Sequence, residues 1–248
     1  MSARCGNRVR PMASGWWDAD GAISGCVVAY QPVGAASLAA SYSNLANPGT
    51  YDCTARVAPT FAAATGWTFG GTGYLNTGWI PPGDGTCSVI VRVSNGSGTA
   101  SQAIFGLQET DAGYVPHPIR ITPQDGFGGR LFYNKGSAFT YADGALTSGV
   151  AAIAGNKAYM NGSLYLTLTG GANFTYTKDL AIGGSHYYEP GYEAQTGSYI
   201  GNILAIACYT STLTAGEIAT ISTAMAALTA SSQSIVPHLA AHKDWWHG

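Results

Sequence analysis

Apolar and polar residues alternate along most of this chain. Cys87, Val89, Val91 and Val93 fall on one face of an extended segment, and Ser88, Ile90 and Arg92 on the other. That period of two predicts a half-buried strand. Shorter runs of the same kind are Cys26 to Gln31, Trp67 to Phe69, Tyr74 to Trp79, Ala103 to Leu107, Ile119 to Thr122 and Arg130 to Tyr133, divided by loops bearing Gly and Pro. Residues 34–65, rich in Ala, Ser, Asn and Pro, read as a long irregular excursion. Lys157 to Tyr165 folds back through Asn161-Gly162, because both central positions of a type I′ turn need φ > 0. Beyond that turn Leu164, Leu166 and Leu168 share a face opposite Tyr165, Thr167 and Thr169. Ile203 to Tyr209 is apolar on both faces, as at the centre of a sheet covered on both sides.

The period changes only once. Thr214-Ala215-Gly216-Glu217 has the form of a capping box, and Ile218, Ile221, Met225 and Leu228 then recur at three- and four-residue steps. The pattern therefore predicts an all-β sandwich of two antiparallel sheets with one short C-terminal helix laid on it. Residues 1–15 read as an N-terminal arm, 16–230 as the domain and 231–248 as a C-terminal tail.

Composition sharpens this reading. Thirty-four glycines are scattered between the strand-like runs and serve as turn punctuation. Charged residues make up only 10% of the chain, against about 25% in an average protein. Such a surface suits an extracellular or virion setting, or contact with neighbouring subunits. The net charge is −2 and the basic residues are dispersed apart from Arg4, Arg8 and Arg10, so no stripe exists to neutralise phosphates and nucleic acid is not an expected partner. No segment approaches the ~20 apolar residues that span a bilayer, and no apolar run marks a signal peptide, so cytoplasmic synthesis is expected. Five cysteines without a Cys-x-x-Cys pair exclude the usual zinc spacing. Cys87 and Cys208 read as buried hydrophobes, while a Cys26–Cys53 bridge stays open as a minor alternative.

Several segments carry a family likeness. Trp16-Trp17-Asp18-Ala19-Asp20-Gly21, Ala29-Tyr30-Gln31-Pro32 with Gly34-Ala35-Ala36, and Gly66-Trp67-Thr68-Phe69-Gly70-Gly71 resemble concanavalin A-like jelly rolls of the laminin-G type. The Asn-Gly hairpin and the ending Ile206-Ala207-Cys208-Tyr209 followed by Leu213 to Ile218 extend the resemblance over roughly residues 16–230. The closest resemblance is to versions encoded by tailed phages and environmental sequences. It implies a concanavalin A-like jelly roll serving as a non-enzymatic virion decoration, fibre or assembly module with possible glycan adhesion, set among other subunits on a virion surface or outside the cell. A free carbohydrate-binding lectin and a divergent polysaccharide hydrolase or lyase are the alternatives, because this fold hosts all three.

Candidate chemistry is sparse. The hydrolase branch carries Glu-x-Asp-x-x-Glu or Glu-x-Asp-x-Glu on one strand, whereas this chain offers Glu109-Thr110-Asp111 followed by Ala112, Gly113 and Tyr114. The second glutamate is missing, so the pair needed for double displacement is absent and the segment reads as a solvated loop. His117, between Pro116 and Pro118, reads as a rigid exposed turn. His238, His242 and His247 read as tail residues rather than zinc ligands. Asp18 and Asp20 supply the first oxygen positions of a calcium loop, but no acidic ligands follow, and an Asp-Gly turn is the favoured reading. No other cofactor is expected. The glycan-binding candidates are His186, Tyr187, Tyr188, Glu189, Tyr192, Glu193 and Gln195 in a glycine-flanked loop. Aromatic faces take sugar C–H surfaces, and carboxylate and amide groups take hydroxyls; packing at an interface is the bland alternative. Trp245 and Trp246, in a polar tail, are candidates for docking on a partner.

Overall fold

The computed structural model describes residues 15–19, 21–83, 85–97, 102–110, 116–124, 129–134, 140–168, 175–189, 192–196 and 199–231. In chain order the elements are β1 (Cys26–Tyr30), α1 (Leu38–Ser41), β2 (Thr54–Val57), β3 (Thr60–Ala62), β4 (Gly66–Gly70), β5 (Tyr74–Asn76), β6 (Ser88–Ser94) and β7 (Phe105–Thr110). There follow β8 (Pro116–Thr122), β9 (Gly129–Asn134), β10 (Thr140–Asp143), β11 (Gly149–Ala154), β12 (Lys157–Met160) and β13 (Ser163–Thr167). The last are β14 (Ala181–Ile182), β15 (Ser185–Glu189), β16 (Tyr192–Thr196), β17 (Ile200–Tyr209) and α2 (Ala215–Ala227).

Two sheets make the sandwich. One has the order β13-β12-β11-β6-β17-β4-β3, with β1 also paired to β17; the other has the order β10-β9-β8-β7-β14-β5-β2, extended by β15 and β16. The longest strand, β17, organises the first sheet. Its early residues pair with β4, its late residues with β1, and β6 lies along its other side. Among the described residues all strand pairs are antiparallel except one. At Gly183 the chain leaves β14 and doubles back, so that β15 runs parallel to β7, with His186 opposite Leu107. Gly183 has φ +78°, and a Cβ there would collide with the Phe69 ring, so glycine is required on both counts.

The alternation sorts residues between two apolar layers. Val89, Val91 and Val93 of β6 and Ile203, Ile206 and Cys208 of β17 enter the core between the sheets, with Trp67, Phe69, Leu75, Phe105, Leu107 and Ile121. Ile90, Ala205, Ala207 and Tyr209 point the other way, into a second layer with Trp17, Ile23, Ile218, Ile221 and Met225. β6 is therefore buried on both faces rather than half-buried as its alternation suggests. The residues that cover it, on α2 and the 15–23 turn, are distant in sequence.

The Asn-Gly hairpin forms as expected, with Asn161 and Gly162 at φ +49° and +82°. The capping box also forms. Thr214 Oγ1 accepts from Glu217 N at 3.3 Å, and Glu217 Oε2 accepts from Thr214 N at 2.7 Å. At the other end Arg92 Nη1 donates to Met225 O and Leu228 O at 2.8 and 2.7 Å, satisfying carbonyls that a helix terminus leaves open. Thr214→Ala is expected to lower stability by about 1 kcal/mol, measurable as a shift in the urea midpoint at unchanged slope.

Other expectations are corrected. Residues 34–65 hold α1, β2 and β3 and are not one irregular excursion. Glu109 and Thr110 belong to β7, and His117 belongs to β8. Pro116 and Pro118, two apart in an extended strand, turn their missing N–H groups to one side, so only one edge of β8 loses donors. Cys26, Cys53, Cys87 and Cys208 are free thiols, which removes the Cys26–Cys53 bridge. Cys87 and Cys208 are buried in the core as expected. Residues 1–14 and 232–248, including Trp245 and Trp246, lie outside the described residues.

Candidate functional site

Three loops meet at one edge of the second sheet because of the register. Asn76, the last residue of β5, pairs with Thr54, the first of β2, and with Ala181, the first of β14. The chain therefore leaves β5 at the same end where it enters β2 and β14. Between these loops lies a shallow, open cleft of about 390 Å³. Asp52, Asn76, Lys178 and Asp179 bring its polar chemistry, with Thr54 and Thr177 beside them and Ile80 as an apolar wall.

Each carboxylate is fixed by backbone amides. Asp52 Oδ1 accepts from Asn44 N at 2.8 Å and Gly49 N at 3.3 Å. Asn44 is itself fully buried and satisfied. Its Oδ1 accepts from Ala29 N and Ala46 N at 2.9 and 3.1 Å, and its Nδ2 donates to Val27 O and Thr50 O at 2.7 and 2.8 Å. On the opposite wall Asp179 Oδ2 accepts from Gly78 N at 2.7 Å. Thr77 locks that loop, donating from Oγ1 to Leu180 O at 2.8 Å and accepting from Trp79 N at 3.1 Å. Asn76 differs: its Oδ1 is buried without a hydrogen-bond partner in the protein. Tyr51 stands beside this edge, 38% exposed, with its ring close to Gly78. Its carbonyl takes a hydrogen bond from Tyr30 Oη. The cleft thus offers two carboxylates held by backbone amides, an ammonium, an apolar wall and a neighbouring exposed ring.

Of the residues singled out from sequence, His186 reaches this region. Its Nδ1 lies 2.8 Å from Asp179 O and 3.5 Å from Asp179 Oδ1, and its ring meets Tyr74 edge-on at 5.8 Å. The expected loop around it is a hairpin, with Tyr188 opposite Glu193, Glu189 opposite Tyr192 and His186 opposite Gln195. The side chains of Tyr187, Tyr188, Glu189, Tyr192, Glu193 and Gln195 lie outside the described part of the structure. Asp18 closes a turn, its Oδ1 accepting from Gly15 N at 2.8 Å and its carbonyl from Ile23 N at 2.8 Å; Asp20 lies outside the described residues. Among the described residues no group of three or more His, Cys, Asp or Glu is placed to hold a metal ion. Sequence reading missed Asp52, Asn76 and Asp179. Their one local signal was a polar residue at the end of a strand, which is also how any turn looks.

No family model matches the chain, and no curated protein is similar to it. Solved structures are similar in fold. A mutant of Trypanosoma rangeli sialidase displaying trans-sialidase activity superposes with a TM-score of 0.56 at 13% identity, over 81% of this chain and 33% of the sialidase. Domain 4 of AbnA, a GH43 extracellular arabinanase from Geobacillus stearothermophilus, in complex with arabinotriose, superposes with a TM-score of 0.51 at 15% identity, over 80% of this chain and 98% of that domain. The chain thus spans about a third of the sialidase but nearly all of the arabinanase domain.

These likenesses correct the sequence reading. The expected non-enzymatic assembly module of a phage particle is overturned, since the matching folds come from carbohydrate-active enzymes. The laminin-G and phage parts of the expectation gain no support from them. What the chain shares with these sialidase and arabinanase structures is an all-β, two-sheet sandwich.

Proposed function

We propose that this chain is a carbohydrate-binding sandwich of the concanavalin A-like kind that holds a short saccharide in the cleft of Asp52, Asn76, Lys178 and Asp179. The observation that carries the reading is the match over nearly the whole of an arabinanase domain whose structure contains arabinotriose. The cleft supports it. Fixed acceptors suit ligand hydroxyls, and Tyr51 offers a ring at the rim. The hairpin that starts beside Asp179 carries Tyr187, Tyr188, Glu189, Tyr192, Glu193 and Gln195 as further candidates.

Binding, not cleavage, is the reading we favour. Asp52 and Asp179 each accept backbone N–H donors, and the Glu-x-Asp-x-x-Glu pattern is missing from β7. The test is calorimetric titration with arabinotriose and a panel of other oligosaccharides. Asp179→Ala should weaken binding at least tenfold, a loss of about 1.4 kcal/mol, and Tyr187→Ala with Tyr188→Ala should weaken it if the hairpin takes part. Release of new reducing ends would establish a hydrolase instead, and absence of binding to every saccharide would remove the proposal.

A further inference from the structure

We infer that the cleft selects uncharged, hydroxyl-rich saccharides and discriminates against those bearing a carboxylate. The inference rests on the carbohydrate-binding reading and names the ligand class of that site. Two features of the lining point the same way.

The first is the balance of donors and acceptors. Asp52 and Asp179, the two carboxylates of the lining, are acceptors when ionised. A sugar hydroxyl both donates and accepts, so it can satisfy any of these oxygens. An ionised sugar carboxylate has no hydrogen to donate and would set oxygen against oxygen.

The second is charge. Among the described lining residues two carboxylates stand against the single ammonium of Lys178. His186, the other titratable group against Asp179, directs Nδ1 at the Asp179 carbonyl at 2.8 Å and lies 3.5 Å from Asp179 Oδ1, adding a second positive charge only when protonated. Arg56 lies further along β2 and does not line the cleft. Neither carboxylate can swing away readily, because backbone amides hold Asp52 from residues 44 and 49 and Asp179 from residue 78. An anionic ligand entering at contact distance therefore meets net repulsion near the surface, on the order of tenfold in affinity at low ionic strength and less at high salt.

The experiment compares neutral and carboxylated oligosaccharides on one array at low and high sodium chloride, with the wild-type protein, Asp52→Asn and Asp179→Asn. The expected result has three parts: neutral ligands bind, acidic ones bind about tenfold more weakly at low salt, and added salt narrows the gap. In each variant the ratio of acidic to neutral affinity should rise at least about fivefold, whatever the change in either affinity alone. Acidic ligands that bind as well as neutral ones at low salt, or a ratio unmoved in both variants, would overturn the selectivity while leaving carbohydrate binding intact. No binding by either class would instead sink the carbohydrate reading itself.

Discussion

Replacing Asn44 with alanine is expected to lower stability by about 3–5 kcal/mol and to weaken ligand binding in the same variant. One fully buried amide satisfies four backbone groups, Ala29 N, Ala46 N, Val27 O and Thr50 O. Alanine would leave the buried Ala29 and Ala46 N–H groups unsatisfied, and each such group costs about 1–3 kcal/mol. The loss should lower the melting temperature by about 10 °C, followed by circular dichroism. Binding should fall even at temperatures where the variant is folded, because the Asn44 amide ties down the loop whose backbone N–H at residue 44, kept by alanine, must stay in place to hold Asp52. A variant that melts normally, or one that is destabilised yet binds normally, would refute one half or the other of this argument.

Stability should also collapse in alkali. Burial pushes the Cys26 thiol up to about 12, offset in part by its hydrogen bond with Tyr209. Burial likewise raises Cys53, Cys208, Tyr30, Tyr199 and Tyr209 well above their ordinary values. In each case the folded state keeps a proton that the unfolded chain releases. The contribution is therefore complete below the unfolded values, about 8.5 for Cys and 10 for Tyr, and is lost as the pH rises toward the folded ones. For Cys26 the interval from 9.0 to about 12 is worth on the order of 4 kcal/mol. Under reducing conditions, denaturant midpoints should hold steady to about pH 8.5 and fall steeply between there and 12. Cys26→Ala should flatten the first part of that fall. Midpoints that stay level up to pH 12 would contradict the burial of these groups.

The sequence made the sandwich legible wherever the signal is local. The Asn161-Gly162 turn needs two positive φ values in succession, and the Thr214–Glu217 box spans four residues. The apolar run of β17 was also readable, since a strand at the centre of a covered sheet has no polar face. Other features depend on residues far apart in the chain. The burial of Ile90 requires α2, more than a hundred residues later. The parallel course of β15 depends on a reversal at Gly183, which a period of two cannot indicate, so the segment around His186 read as a loop. Asn44 was passed over because its partners on β1 lie 15 and 17 residues away. The cleft was missed for the same reason. Asp52, Asn76 and Asp179 become neighbours only when Thr54, Asn76 and Ala181 align across three strands.

That alignment has an evolutionary consequence. The residues in a position to touch a ligand come from three short rim segments separated by long stretches of chain, while the apolar layers that keep the fold folded lie on the strands and α2. On the carbohydrate-binding reading, changes at positions 52, 76, 178 or 179 would therefore alter which ligand fits while the architecture is inherited intact.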